Sequence, residues 1–127
     1  MDTIFALATA QGRAGVSVIR ISGPEAFACA QELCGSLPAP RQAGLRSLKD
    51  EDGELLDQAL VIAFRGPNSF TGEDTVELHL HGSIAVVSAV LRSLGQGGAR
   101  MADPGEFTRR ALENDKMELA QVESLGD

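Results

Sequence analysis

The chain has no tryptophan and no tyrosine, and only two of its eleven basic residues are lysines. Single-stranded nucleic acids are held in basic grooves set with aromatic stacking residues, so this sequence is poorly equipped to grip one unaided. Charge points the same way, because 11 basic against 18 acidic residues leave a net charge of -7, and an acidic surface repels phosphate. Five of the acids fall in one stretch, Asp50 to Asp57. Cysteine is scarce as well. Cys29 and Cys34 sit five residues apart on what reads as one helix, a spacing that suits neither a disulfide nor metal ligation. Both are expected as buried thiols in a reducing compartment. No run approaches the roughly 20 apolar residues of a membrane span, and the N-terminus lacks the charged region and cleavage site of a signal peptide. A soluble cytoplasmic protein without membrane association is the expectation. The phosphate-cradling pattern G-x-x-x-x-G-K-[ST] is missing too, since neither Lys49 nor Lys116 follows a glycine. Alone, this chain is not expected to hydrolyse GTP or ATP. No Ser or Cys nucleophile stands in a recognisable setting, so no catalytic residue is assigned.

What remains is enough for one folded domain: 127 residues, 43% of them hydrophobic, within the roughly 100–200 residues of a typical domain. Ile4 to Thr9 and the β-branched run Val16 to Ser22 read as strands joined by the glycine-containing "AQGRAG", in keeping with strand and turn composition. Ser22-Gly23-Pro24-Glu25 then opens a helix running to Leu33 or Cys34, because proline fits a first turn and an acid there suits the helix dipole. A Pro-containing connection follows, with a strand around Leu45 to Lys49. "DQALVIAFR" and Thr75 to His81 read as two more strands, each bounded by turn residues. From Ser83 the period changes. Ile84, Val87, Leu91 and Leu94 recur at helical spacing, widened by Val86 and Val90, until Gly95. Asp103-Pro104-Gly105-Glu106 and Asp115-Lys116-Met117-Glu118 each place a capping residue three positions before a glutamate, the reciprocal arrangement that starts helices. The sum is an α+β domain: a mixed sheet of about five strands packed with three to four helices.

One stretch concentrates side-chain chemistry. "NSFTGEDTVELHLHG", Asn68 to Gly82, holds three carboxylates and both histidines. Strand alternation puts Val76, Leu78 and Leu80 on a core face, and Thr75, Glu77, His79 and His81 on a polar one. A His-x-His pair with a carboxylate two residues earlier can ligate zinc, which would make His79 and His81 the centre of a small metalloenzyme. Against that, the chain has no further histidine. Glu77 admits another reading. A carboxylate on a rigid strand can accept paired hydrogen bonds from the amino and ring N–H groups of a pterin or guanine-like heterocycle. Arg20 interrupts an apolar strand, where arginine either reaches solvent or pairs with an anion. Lys116 lies in the first turn of the last expected helix, where a cation is disfavoured by the dipole unless a bound carboxylate offsets it.

Four segments carry a resemblance: "DTIFALAT", "GRAGVSVIRISG", "GPNSFTGEDTVELHLHG" and "GARMADPGEFTRRALENDKMELAQVESLGD". In this order they resemble the N-terminal domain of the MnmE (TrmE) family of tRNA-modification GTPases. Residues 24 to 56 are poorly marked. Departures are mild: Ala14 and Ser17 stand where the family usually has glycine, Ser83 where a second glycine follows His-Gly, and Met117-Glu118 where Leu-Asp is usual. The resemblance implies a tetrahydrofolate-binding and homodimerising domain over residues 1–118, similar in fold to the folate-binding part of aminomethyltransferases. Residues 119–127 would begin a helical domain, with the GTPase domain absent from this chain.

It further implies that Arg20, Glu77 and Lys116 contact 5-formyltetrahydrofolate or another one-carbon tetrahydrofolate. The electrostatically natural arrangement puts Glu77 on the pterin and the cations on the glutamyl tail. A further family contact comes from a C-terminal end that this chain does not contain. Family members bind GTP, potassium and magnesium through their GTPase domain and work with the FAD protein MnmG. Together they modify C5 of the wobble uridine of certain tRNAs, with folate as one-carbon donor. Two other readings stand beside this one: a purely structural dimerisation module, and the zinc metalloenzyme of His79 and His81.

Overall fold

Alternation and turn chemistry decide most of this fold. The computed structural model describes residues 2–9 and 15–114. Its elements run β1 (Ile4–Leu7), β2 (Ser17–Ser22), α1 (Ala26–Cys34), β3 (Gly44–Lys49), β4 (Leu55–Phe64), β5 (Thr75–Leu80), α2 (Ile84–Gln96), β6 (Arg100–Met101) and α3 (Glu106–Glu113). All six strands join one sheet in the order β3-β4-β5-β2-β1-β6. Neighbours pair antiparallel except β1 and β6, which are parallel. The α+β class expected from the sequence is what the chain adopts.

One face of the sheet is dry. Phe5, Ile19, Ile21, Val61, Ala63, Val76 and Leu78 are buried there, against Ala26, Cys29, Ala30 and Leu33 of α1 and Val87, Val90 and Leu94 of α2. Those helix positions recur at intervals of three and four, one stripe of each helix. Each fully buried aliphatic side chain contributes roughly 1.5–3 kcal/mol relative to exposure. The stripe of α2 begins one turn later than the sequence pattern implied. Ile84 is 66% exposed, and burial starts at Val87. Ser83, where the period changes, caps this helix, accepting from Val86 N at 3.4 Å. Both thiols are buried and unpaired, Cys34 donating to Ala30 O at 3.0 Å. Burial pushes both thiols above their ordinary pKa.

The structure adds an element the sequence did not announce. β6 is only two residues long, too short for any period, and exists because Arg100 N donates to Thr3 O and Ala102 N to Phe5 O. The Asp103–Glu106 box is half realised: Asp103 N donates to the Glu106 carboxylate at 2.9 Å. The capping position itself is taken by Gly105 at φ 73, a left-handed conformation that glycine adopts without steric cost. The second box, at Asp115, lies outside the described residues, as does the loop at 10–14.

Gly23, between β2 and α1, has no room for a side chain. It has φ +139, and a Cβ there would lie 2.6 Å from Thr3 Cα and 2.9 Å from Asp2 O. Gly23→Ala is expected to destabilise the fold by about 1–3 kcal/mol from backbone strain, with a steric cost added. A lowered urea midpoint at unchanged slope would show it.

Candidate functional site

The second face of the sheet carries the polar residues. Along β2 this face shows Val18, Arg20 and Ser22, and along β5 His79, Glu77 and Thr75. The β2–β5 register sets them directly opposite one another: Val18 to His79, Arg20 to Glu77, Ser22 to Thr75. Two of the three sequence-predicted ligand residues, 57 positions apart, therefore meet. Nη2 and Nε of Arg20 donate to Oε2 of Glu77 at 3.1 and 3.3 Å. Lys116, the third, lies outside the described residues.

Both partners are partly enclosed, with 24% and 19% of their side chains exposed. The Arg20 guanidinium carbon stands 5.0 Å from the centre of the Phe70 ring and 6.0 Å from that of Phe107, distances at which a cation is attracted to the ring quadrupole. Beside Arg20, a cleft of about 290 Å³ opens between β1 and the start of α3, lined by Ala6, Leu7, Ala102, Gly105 and Phe107. A shallower hollow of about 540 Å³ is lined by Arg41, Phe64, Asn68, Ser69 and Phe70. Phe70 is thus shared between the cation contact and the second hollow. Chemically, the arrangement is a carboxylate and a guanidinium held side by side among aromatic rings, suited to a flat molecule with hydrogen-bonding edges.

The two histidines part company. His79 stays on the strand, its Nε2 3.2 Å from Oε1 of Glu77. The strand ends at Leu80, so His81 stands past the shelf the sequence pattern assigned it. Its backbone N–H donates to Asp57 Oδ2 at 2.8 Å, and its ring Nδ1 lies 3.4 Å from Gln58 O. Among the described residues no group of three or more His, Cys, Asp or Glu is placed to hold a metal ion. The Glu77–His79–His81 constellation proposed for zinc is not assembled in this geometry.

At the end of this face, where Ser22 and Thr75 lie, α3 is held down by charge. Arg110, 4% exposed, donates to Glu73 Oε1 at 3.1 Å, Asp2 Oδ1 at 2.6 Å, Asp2 O at 2.8 Å and Glu106 Oε2 at 3.3 Å. Ser22 donates to the same Glu73 at 2.8 Å and shares a 2.6 Å hydrogen bond with Thr71. Arg100 completes the cluster by pairing with Asp2 and Glu106. Asn114 closes the helix against the loop, donating to Thr71 O at 2.9 Å. The Arg100 hydrogen bond is the main reason the carboxyls of both Asp2 and Glu106 are held down to about 2. Burial disfavours charge on Arg110, but Glu73, Asp2 and Glu106 outweigh it and raise its pKa.

The sequence singled out Arg20 and Glu77, which the fold brings into contact, but gave no sign of their surroundings. Phe70 lies in the non-periodic "NSFTGED", and its proximity to Arg20 depends on a loop path that no pattern encodes. Arg110 and Glu106 stand four apart on a helix, a spacing visible in the sequence as a surface pair. Nothing in that spacing signals that Asp2 and Glu73 bury it.

Residues 3–116 match a family model described as GTP-binding protein TrmE N-terminus. Among curated proteins, the chain is 64% identical over its whole length to a tRNA modification GTPase MnmE of Roseobacter denitrificans. Proteins of the same name from Dinoroseobacter shibae and Caulobacter vibrioides are each 57% identical, over 100% and 99% of this chain. The chain spans about 30% of the length of these relatives.

The charge cluster dictates an acid response. Asp2 and Glu106 fall from ordinary values of 3.8 and 4.5 to about 2 in the folded chain, so unfolding raises their proton affinity. Their stabilisation is complete above those ordinary values and is lost as pH falls through about 2. Thermal melts followed by circular dichroism should show the midpoint dropping over that window. Glu106→Gln should start lower at neutral pH and drop less.

Proposed function

Since the chain belongs to the GTP-binding protein TrmE N-terminus family, we propose that it is the tetrahydrofolate-binding, homodimerising domain of a tRNA-modification GTPase. In this reading residues 1–118 form that domain and residues 119–127 begin the next. The observation that carries the reading is the Arg20–Glu77 pair at 3.1 Å on the open face of the sheet, with Phe70 and Phe107 beside it.

The donor set suits the ligand. A half-buried carboxylate accepts from the amino and ring N–H groups of a pterin, and the neighbouring rings offer apolar contact to its flat faces. Bound 5-formyltetrahydrofolate, or another one-carbon form, would supply the one-carbon unit. The work of this chain is to bind and orient it. The contact between Arg20 and Glu77 favours placing both at the same end of the ligand, the pterin end. That leaves Lys116 for the carboxylates of the tail, in place of the simpler division in which both cations serve the tail.

The rest of the assembly is proposed on family grounds. GTP, potassium and magnesium would belong to a GTPase domain outside this sequence. MnmG would join through the whole protein to modify C5 of the wobble uridine, in the cytoplasm. The net charge of -7 supports a tRNA held by other parts of that complex rather than by this domain.

Calorimetric titration with 5-formyltetrahydrofolate tests the site. Hydrogen bonds to a charged group are worth about 1.5–3 kcal/mol, so Glu77→Ala should weaken binding about tenfold to a hundredfold. Wild-type affinity in that variant would remove Glu77 from the site. A chain that is dimeric by light scattering yet takes up no folate would instead be a structural module.

A further inference from the structure

Glu77 is held at two points, and they differ in kind. Both hydrogen bonds from Arg20 fall on the same oxygen, Oε2, at 3.1 and 3.3 Å. With one oxygen anchored by bonds of this length, the carboxylate plane is only loosely held about its last torsion, which is broad and nearly two-fold in glutamate. The other oxygen, Oε1, lies 3.2 Å from Nε2 of His79. That second contact fixes the plane of the carboxylate. Recognition of a flat, two-pronged donor needs the plane as much as the position.

We infer that His79 is a positioning residue for the ligand-binding carboxylate, its Nε2–H holding Oε1 of Glu77 so that the carboxylate plane is set before the ligand arrives. The inference rests on the folate reading of Glu77. The surroundings of His79 support it. The cross-strand neighbours of His79 are Val18 and Leu60, both apolar, so they offer its ring no competing side-chain hydrogen bond. Its side chain is 27% exposed, which leaves it part of the ligand-facing surface without making it a core residue. His81 cannot substitute, because it stands past the end of β5 and beside Gln58. Nε2 must carry the ring proton for this contact to be a hydrogen bond to a carboxylate. The carboxylate in turn selects that tautomer.

The test compares wild type, His79→Ala, His79→Gln and Glu77→Ala in the whole chain, by calorimetry with 5-formyltetrahydrofolate and by thermal melting. A glutamine amide can present an N–H near the position of Nε2. Loss of one ordinary hydrogen bond predicts that His79→Ala binds about three- to tenfold more weakly. His79→Gln should return most of that affinity, with the melting midpoints of both variants close to wild type. Wild-type affinity in His79→Ala alongside a loss in Glu77→Ala would overturn the inference and leave the folate reading standing. His79→Gln binding no better than His79→Ala would also overturn it, since the donor would then not be what matters. Unchanged affinity in Glu77→Ala would remove the folate assignment of that residue, and the role of His79 with it.

Discussion

The pairing of β2 with β5 is the constraint on which everything else depends. Its register puts Ile19 against Leu78 and Ile21 against Val76 on one face, and Arg20 against Glu77 on the other. Side chains alternate with a period of two, so a slip of one residue would turn all the side chains of the slipped strand to the wrong side. The same alignment therefore fills the core and assembles the site. A sheet whose two faces are so unlike has little freedom to pair otherwise, because a slip of β2 would bury Arg20 and expose Ile19 and Ile21, and a slip of β5 would bury Glu77 and His79 and expose Val76, Leu78 and Leu80. The stability of the core thus enforces the geometry of the site, without any interaction having to serve both purposes.

The polar face is itself divided. At one end α3 covers it, pinned by an arginine buried among three carboxylates. At the other end the face stays open around Glu77 and His79. Arg110 joins the two regimes through Glu73, which also accepts from Ser22, a next-but-one neighbour of Arg20 on β2. Buried ion clusters are expensive to desolvate and compensate only when every polar atom finds a partner. Here no buried side-chain nitrogen or oxygen among the described residues lacks one. The cluster defines where α3 sits and hence where the cleft beside Arg20 ends.

What could be read from the sequence followed the range of the physics involved. β5, α1 and α2 were legible because alternation and the three-four spacing are local. Arg20 stood out as a charge interrupting an apolar strand, and Glu77 as a carboxylate on the polar face of an alternating one. That they touch depends on a register between segments 57 residues apart, which only the packed sheet specifies. β6 was invisible for the same reason, as two residues made into a strand by the hydrogen bonds of β1. The histidine pair drew a metal reading because sequence spacing cannot say where a strand stops. One residue beyond Leu80 was enough to separate them. The core helices were misjudged at their starts: Ile84 follows the apolar period but lies before the sheet begins to cover α2, and Pro24 and Glu25, read as the first turn of α1, precede its first residue, Ala26.

The ties of Asp2 concern folding order as well as architecture. Its partners Arg100 and Arg110 come 98 and 108 residues later in the chain, so Asp2 waits for nearly the last of the described residues. On a ribosome β2 and β5 can pair, and α1 can dock, while the polypeptide is still growing. The N-terminal strand keeps an unmatched edge until β6 arrives, and Arg110 finds its carboxylates later still. Contacts of such long sequence separation are slow to close. The half of the sheet that carries Arg20 and Glu77 can therefore form early, whereas the cleft beside Arg20 acquires its second wall only when synthesis has passed α3.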